Sequence, residues 1–230
     1  MLEFDKVHVT RGAFSLSADL GVPTGSRVAV IGPSGSGKST LLSLVGGFLA
    51  LDRGRIRLDG QDITALPPGR RPVSTLFQDQ NLFPHLTVAQ NVGLGLRPDL
   101  RLSEPQHARV AQVLSEVGLE GMEARRPANL SGGQQGRVAL ARVLLRARPV
   151  LLLDEAFSAF GPALKAEMLD LLGRIADRTR ATVLMVTHDP GDARRFAPET
   201  ILVDGGVAHP PVPTGPLLDN PPPGLRAYLG

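Results

Sequence analysis

The sequence predicts an α/β protein with a sheet core, an antiparallel β part near its N-terminus and a helical insertion. Three observations support this prediction. Residues 150–153 and 183–186 are continuously apolar, which is typical of strands buried on both faces. Residues 2–9 and 14–20 alternate apolar and polar side chains instead, as half-buried antiparallel strands do. Residues 87–126 carry apolar side chains at helical spacing.

Length and composition indicate one large domain. The chain has 230 residues, 42% of them hydrophobic, which suffices for a single α/β core. We predict one domain over residues 1–230, in which 1–86 and 150–230 form the core and 87–149 form the helical part.

Several classes of protein are disfavoured by the same numbers. The chain contains no cysteine, so it has neither a disulfide framework nor a thiolate metal site. We expect no secretion, because no charged and apolar leader precedes Glu3. No apolar stretch reaches the roughly 18 residues that a transmembrane helix needs. A net charge of +3 and 4% aromatic residues do not indicate nucleic-acid binding.

The glycine-rich segment that follows the apolar run 28–31 predicts a phosphate-binding loop. Its residues are Gly32, Pro33, Ser34, Gly35, Ser36, Gly37, Lys38, Ser39 and Thr40. Between a strand and a helix, this pattern lets backbone N–H groups converge on a phosphate. Lys38 would reach the β- and γ-phosphates and the Ser39 hydroxyl would hold Mg²⁺. The alternative is a glycine turn that binds no ligand.

Polar residues follow three further predicted strands, where open α/β sheets place groups that face a ligand. Gln78 follows the strand 73–77 and could ligate Mg²⁺ or the attacking water, unless it is a solvated loop residue. Asp154 and Glu155 follow 150–153, which suits Asp154 to Mg²⁺ and Glu155 to polarising a water. His188 follows the strand 182–186 and could contact a γ-phosphate, although a lone histidine is more often structural.

The helical part contains a second candidate anion site. Ser131 is a plausible N-cap, and Gly132, Gly133 and Gln134 then open a helix whose N–H groups could face an anion. An ordinary capped helix is the alternative. Further predictions are a helix start at Ser103, a helix over 163–178, a closing hairpin at 201–206, and an extended tail from Pro210, which is proline-rich.

Taken in order, these pieces resemble the ATP-binding subunits of ABC transporters over nearly the whole chain. The resemblance implies a P-loop NTPase core and a head-to-tail dimer, with ATP and Mg²⁺ held between residues 32–40 of one copy and 130–134 of the other. It also implies ATP hydrolysis that drives import through a separate permease at the cytoplasmic face of the membrane, indirectly served by a solute-binding protein. In it, Gln78, Glu155 and His188 would be catalytic, and Ser39, Gln78 and Asp154 would hold the metal.

Finer stretches at 67–78, 86–96 and 184–188 resemble the thiamine-importing members of that family. The chemistry of these residues does not itself select thiamine, so polyamine, iron and molybdate importers are alternatives. A weakly hydrolysing ATP-binding subunit is another. Soluble ABC ATPases of DNA repair or translation are disfavoured, because the chain lacks a long coiled-coil insertion and a second cassette.

The chain departs from the family pattern in how it would hold the adenine base of ATP. Relatives carry an aromatic residue before the first hairpin turn, whereas this chain reads Val-Thr-Arg-Gly-Ala over residues 9–13. Arg11 could stack on adenine instead, since a guanidinium plane can do so. Phe14 is expected in the strand core.

Three other departures follow the signature residues 130–134 or Glu155. Gly136 stands where relatives have Gln or Arg, and Ala156 stands where they have proline. Gly161 stands where they have Asp, which removes a carboxylate near the attacking water. We therefore predict that nucleotide binding and dimerisation survive while turnover is slowed.

Overall fold

The computed structural model describes residues 1–79 and 81–229, with side chains described as far as residue 226. In this part of the chain, eleven strands form one curled sheet. The strands are β1 (Leu2–Arg11), β2 (Phe14–Val22), β3 (Arg27–Ile31), β4 (Arg53–Leu58), β5 (Gln61–Asp62), β6 (Val73–Phe77), β7 (Val150–Asp154), β8 (Thr182–Val186), β9 (Glu199–Asp204), β10 (Val207–Ala208) and β11 (Val212–Pro213). The helices are α1 (Lys38–Gly46), α2 (Val88–Gly93), α3 (Glu104–Glu116), α4 (Gly132–Leu145), α5 (Pro162–Thr179), α6 (Pro190–Phe196), α7 (Thr214–Asp219) and α8 (Pro223–Leu229).

The sheet has an antiparallel and a parallel half, in the order β5-β4-β1-β2-β10-β9-β3-β8-β7-β6, with β11 paired to β9. β1 pairs antiparallel with β2 and β4, and its buried and exposed residues alternate as the sequence predicts. β9, β3, β8, β7 and β6 are all parallel to one another. β8 is buried throughout, in agreement with its continuous apolar run.

Register in the parallel half brings the polar strand ends together. Phe77 of β6 is level with Asp154 of β7, and Asp154 is level with Val186 of β8. Val186 is in turn level with Val30 of β3. Because parallel strands end at the same edge, the residues that follow these four positions meet there.

Three apolar clusters hold these elements in place. One lies between the antiparallel strands, α1 and one face of the parallel half. A second lies on the opposite face, beneath α5, α6 and part of α4. The third joins α2, α3 and α4, and its buried members all come from residues 88–145. Helices therefore cover both faces of the parallel half, and the helical part has a core of its own.

Most predicted elements are confirmed. β6 and β8 have the predicted bounds, the hairpin of β9 and β10 is present, and α5 extends the predicted helix by one residue at each end. Ser103 and Ser131 are the N-caps of α3 and α4, each with a capping box.

The prediction of an extended tail from Pro210 is wrong, because the tail contains α7 and α8. Leu218 and Leu225 are buried against the second cluster and anchor the two helices. The buried Thr214 hydroxyl donates to Ala197 O. Pro223 begins α8, where the N–H that proline lacks would have had no helical acceptor. None of the helices in the described residues is both long and apolar enough to cross a bilayer.

Candidate active site

The glycine segment forms a tight loop between β3 and α1. Gly32, Gly35 and Gly37 have positive φ angles of 153°, 77° and 111°. A Cβ on Gly32 would lie 1.9 Å from Val203 O, so only glycine fits there. The loop borders an open cavity of about 300 Å³. The cavity is lined by Phe14, Ser34, Gly35, Gly37, Lys38, Ser39, Thr40 and Glu155.

Polar groups of the loop are suited to an anion. Lys38 is buried, and its Nζ donates to Gly32 O and Pro33 O, both at 2.9 Å. Burial lowers the pKa of Lys38, while the nearby carboxylates of Glu155 and Asp154 act in the opposite direction. The Ser36 hydroxyl is buried without a hydrogen-bond partner among the described residues. A phosphate would give this hydroxyl and the ammonium the acceptor oxygens that they favour.

Ser39 and Asp154 lie together although 115 residues separate them. Ser39 Oγ donates to Asp154 Oδ1 at 2.9 Å. Burial raises the pKa of Asp154 above its usual value; the hydrogen bond from Ser39 partly offsets this, and Glu155 adds to the rise. Two hard oxygen ligands beside a phosphate loop fit Mg²⁺, which is usually bound by one or two protein oxygens, phosphates and water. No group of three or more metal-ligating side chains was found in the described part of the chain.

The structure also brings Glu155 and His188 together. Glu155 has a left-handed backbone, with a φ angle of 49°, and its N–H donates to Val186 O at 3.3 Å. His188 Nδ1 lies 3.3 Å from Glu155 Oε2. Glu155 lines the cavity of the phosphate loop. Gln78 is exposed directly after Phe77, the residue that is level with Asp154, so it lies at the same edge of the sheet.

The predicted second anion site belongs to the helical part. Ser131 N donates to Gln134 Oε1 at 2.9 Å, and Gln134 N donates to Ser131 Oγ at 3.3 Å. Gly133 is buried, and a Cβ there would lie 2.7 Å from Leu164 of α5. Gly132 is exposed, with open space where a side chain would be. Among the residues described, these four do not line the cavity of the phosphate loop.

Phe14 is the cavity residue that sequence reasoning missed. It packs against the first apolar cluster, as predicted, but its ring also borders the cavity. Phe14 Cζ lies 2.7 Å from the position that a Cβ on Gly37 would take. Arg11, which we expected as a stacking group, instead donates to Thr10 O and Ala50 O. The available signal was the aromatic residue just after the first hairpin turn.

Comparisons with known proteins agree with this geometry. The family model described as "ABC transporter" matches residues 16–158. The chain is 61% identical over 230 residues to the thiamine import ATP-binding protein ThiQ of Cereibacter sphaeroides, with all of both chains covered. It is 54% identical to the protein of the same name from a Ruegeria species, again over all of both chains.

A solved structure shares the fold. It is the dimeric post-hydrolysis state of the ATP-binding cassette MJ0796 bound to ADP and Pi, with a TM-score of 0.78 and 30% identity. The match covers 93% of this chain and 99% of that chain. The predicted family and the predicted P-loop fold are therefore both confirmed. This chain belongs to the ABC transporter family, among its ATP-binding subunits.

Proposed function

We propose that this chain hydrolyses ATP to drive the uptake of thiamine through a separate membrane permease. The assignment of thiamine as the solute rests on full-length identity of 61% and 54% to two proteins named for thiamine import. The assignment of ATP hydrolysis rests on the site geometry. The phosphate loop, Asp154, Glu155 and His188 lie together at one edge of the sheet.

The residues around the phosphate loop have distinct roles in this proposal. Residues 32–40 wrap the phosphates with backbone N–H groups, and Lys38 neutralises the β- and γ-phosphates. Ser39 and Asp154, with Gln78 from the neighbouring strand end, would hold Mg²⁺. When bound, Mg²⁺ neutralises charge that develops on the transferred phosphoryl group. Glu155 accepts a proton from the attacking water, and His188 donates to the γ-phosphate.

A second copy of the chain completes each site. Ser131–Gln134 lie outside the cavity of their own chain and present the N-terminus of α4, which attracts anions. In a two-fold, head-to-tail pair, this tip of one copy closes the phosphate loop of the other, and two equivalent sites result. The similarity to a cassette solved as a dimer with ADP and Pi supports this arrangement. Residues 1–230 then act as one ATP-binding domain, with 87–149 carrying the signature against the core of 1–86 and 150–230.

An exposed groove beside Gln78 suits the permease. Phe48 and Phe77 are exposed and their rings meet edge to face at 5.6 Å. Phe77 lines a groove together with the exposed Phe83 and with Arg142 and Arg146. Exposed aromatic and arginine side chains are enriched at protein interfaces. Through this groove the chain would bind at the cytoplasmic face of the membrane, and a solute-binding protein would act on the permease from the other side.

Reconstitution tests the function directly. The chain is combined with its permease and solute-binding protein in liposomes, and uptake of labelled thiamine is measured with Mg-ATP. We expect uptake that requires ATP and stops in the Glu155→Gln variant. Uptake of a polyamine, iron or molybdate but not of thiamine would refute thiamine as the transported solute.

A weakly hydrolysing subunit is the second candidate, and Gly161 and Ala156 favour it. Gly161 is the N-cap of α5 and has no carboxylate, and Ala156 is buried beside Glu155. Phosphate release measured in the presence of the permease separates the two candidates. ATP binding with little phosphate release would support the second.

A further inference from the structure

A partly buried ion-pair cluster joins α5 to the segment that carries His188. Lys165 Nζ donates to Asp189 Oδ2 at 2.5 Å and lies 3.0 Å from Asp192 Oδ1. The side chains of Lys165 and Asp192 are only 16% and 14% exposed, so solvent screens this pair far less than a surface pair. Lys165 is one of three lysines among 25 basic residues. None of these three cluster residues belongs to the site described above.

The two carboxylates fix the backbone on both sides of His188. Asp189 Oδ1 accepts from Gly191 N at 2.8 Å and caps α6. Asp189 N donates to Thr187 Oγ1 at 3.1 Å, and Thr187 Oγ1 donates to Asp192 Oδ2 at 2.9 Å. The residues immediately before and after His188 are therefore both tied into the network that Lys165 neutralises.

Position 165 lies one helical turn after the segment that departs from the family pattern. Its backbone N–H donates to Gly161 O at 2.9 Å, which is the ordinary helical bond of the first turn of α5 and does not depend on the side chain. Ser158 at the other end of this segment has a buried hydroxyl without a hydrogen-bond partner in the described residues. Ser158, Asp192 and His188 line one small cavity. Ser158 and the segment of His188 therefore meet at this cavity, and Asp192, a partner of Lys165, lines it as well.

We propose that Lys165 is a positioning residue for ATP hydrolysis, which holds His188 against Glu155 through Asp189 and Asp192. This inference rests on the proposed function. Burial of Lys165 acts to lower its pKa, but the hydrogen bonds to Asp189 and Asp192 raise it above the ordinary value, so the side chain stays cationic. The hydrogen bond from Lys165 lowers the pKa of Asp189, so the pair stays charged.

The chain offers a matched control for simple helix packing. A second ion pair joins the same two helices, because Arg195 of α6 donates to Asp170 of α5 at 2.8 and 2.6 Å. This pair is about half exposed and lies at the other end of α6 from Asp189. Breaking it perturbs the contact between α5 and α6 without touching the network around His188.

The test compares Lys165→Met with Arg195→Met for ATP affinity, kcat and Tm. Misplacing a catalytic group slightly can cost on the order of 100-fold in rate, so we expect kcat of Lys165→Met to fall at least about 10-fold. ATP affinity should stay within about twofold, because Lys165 is not a binding group in the proposal. Arg195→Met should keep its kcat, and Lys165→Arg should recover part of the loss.

A double-mutant cycle with His188→Ala separates positioning from general destabilisation. If Lys165 acts through His188, Lys165→Met should have little further effect on kcat in the His188→Ala background. The positioning role would be overturned if the losses of kcat in Lys165→Met and His188→Ala were fully additive, or if Lys165→Met and Arg195→Met lost kcat equally. Neither result would overturn the proposed function. A native chain that binds ATP without hydrolysing it would overturn the proposed function as well.

A second variant covers the case in which Lys165→Met does not fold. Asp189→Asn keeps a side chain that can cap α6 but removes one charge from the cluster. It should lower kcat by a smaller factor than Lys165→Met, again with unchanged ATP affinity. An unchanged kcat for Asp189→Asn in a folded protein would count against the proposal.

Discussion

The phosphate loop and the tip of α4 are both N-terminal ends of helices that face an anion in the proposed dimer, but they are built differently. At the loop, side chains bond across elements: Ser39 to Asp154, and His188 to Glu155. At the tip, Ser131 and Gln134 bond each other within one helical turn. The first site is assembled by the register of the sheet, and the second by local capping alone.

This difference separates the roles of the two regions. The loop region holds a buried cation and a candidate base in one cavity, and its Ser39 bonds the carboxylate for metal, so a single chain supplies most of the chemistry. The tip supplies oriented N–H groups and lies outside that cavity. Changes at the loop should therefore act within each chain, and changes at the tip should act on the neighbouring one. The following predictions test or sharpen this division.

The largest expected effect is that of Glu155→Gln in the loop region. Removing a general base typically costs about 100- to 10,000-fold in rate, and the amide keeps the shape of the side chain. We expect phosphate release to fall by a factor in this range while nucleotide affinity stays the same and dimers accumulate with ATP. A phosphate assay measures release, a nucleotide titration measures affinity and gel filtration detects the dimers. Turnover at the native rate would show that Glu155 is not the base.

Phe14→Ala should weaken ATP binding next most strongly, because Phe14 is the aromatic ring at the cavity. Stacking of a base on an aromatic side chain is worth about 1–3 kcal/mol, so the Kd for ATP should rise roughly 5- to 150-fold. Affinity for inorganic triphosphate should not change, since it has no base. Phe83→Ala, which removes an exposed ring outside the cavity, is the control. Equal losses for ATP and triphosphate would contradict a stacking role.

Gly161→Asp should raise turnover by a smaller factor, about several-fold. Gly161 is the N-cap of α5 with φ and ψ angles of −63° and 157°, and nothing lies within 4 Å of the position of an added Cβ. An Asp therefore fits there without strain and restores a carboxylate at a favoured capping position. Gly161→Ala controls for the loss of glycine. Steady-state rates equal to the native rate would refute a role for the missing carboxylate.

The smallest expected effect concerns stability without nucleotide. Burial raises the pKa of Asp154, so its ionised form destabilises the fold at neutral pH. A group with a raised folded pKa adds stability only at low pH and loses that contribution as pH rises through the folded value. Asp154→Asn should therefore raise Tm at pH 7 by about a few degrees, and the difference should shrink towards about pH 4. Its control is the Tm gain from Mg-ATP, which the variant should lose. A lower Tm at pH 7 would contradict this account.

The sequence predicted the loop region well because its signals are local. Glycines 32, 35 and 37 adopt the positive φ angles that the motif requires, and apolar runs predicted the buried strands that lead to Asp154 and His188. The helix start at Ser103 and the N-cap at Ser131 were also predicted from short patterns.

Long-range contacts explain what the sequence did not predict. The helices of the tail depend on Leu218 and Leu225 docking on a distant cluster, and proline content pointed to extended chain instead. The place of Phe14 at the cavity depends on how closely β2 approaches Gly37. Likewise, Lys165 and Asp189 are 24 residues apart, and no sequence motif indicates that they bond to each other.

Cross-linking tests the central claim, that the loop of one chain and the tip of another share one nucleotide. The native chain has no cysteine, so Ser34→Cys and Ser131→Cys together introduce two exposed thiols as the sole reactive pair. In the Glu155→Gln background, a short bifunctional thiol reagent should join two chains when Mg-ATP is present and far less without it. Either cysteine variant alone should give no such product. Equal cross-linking with and without Mg-ATP, or none in either condition, would contradict the shared site.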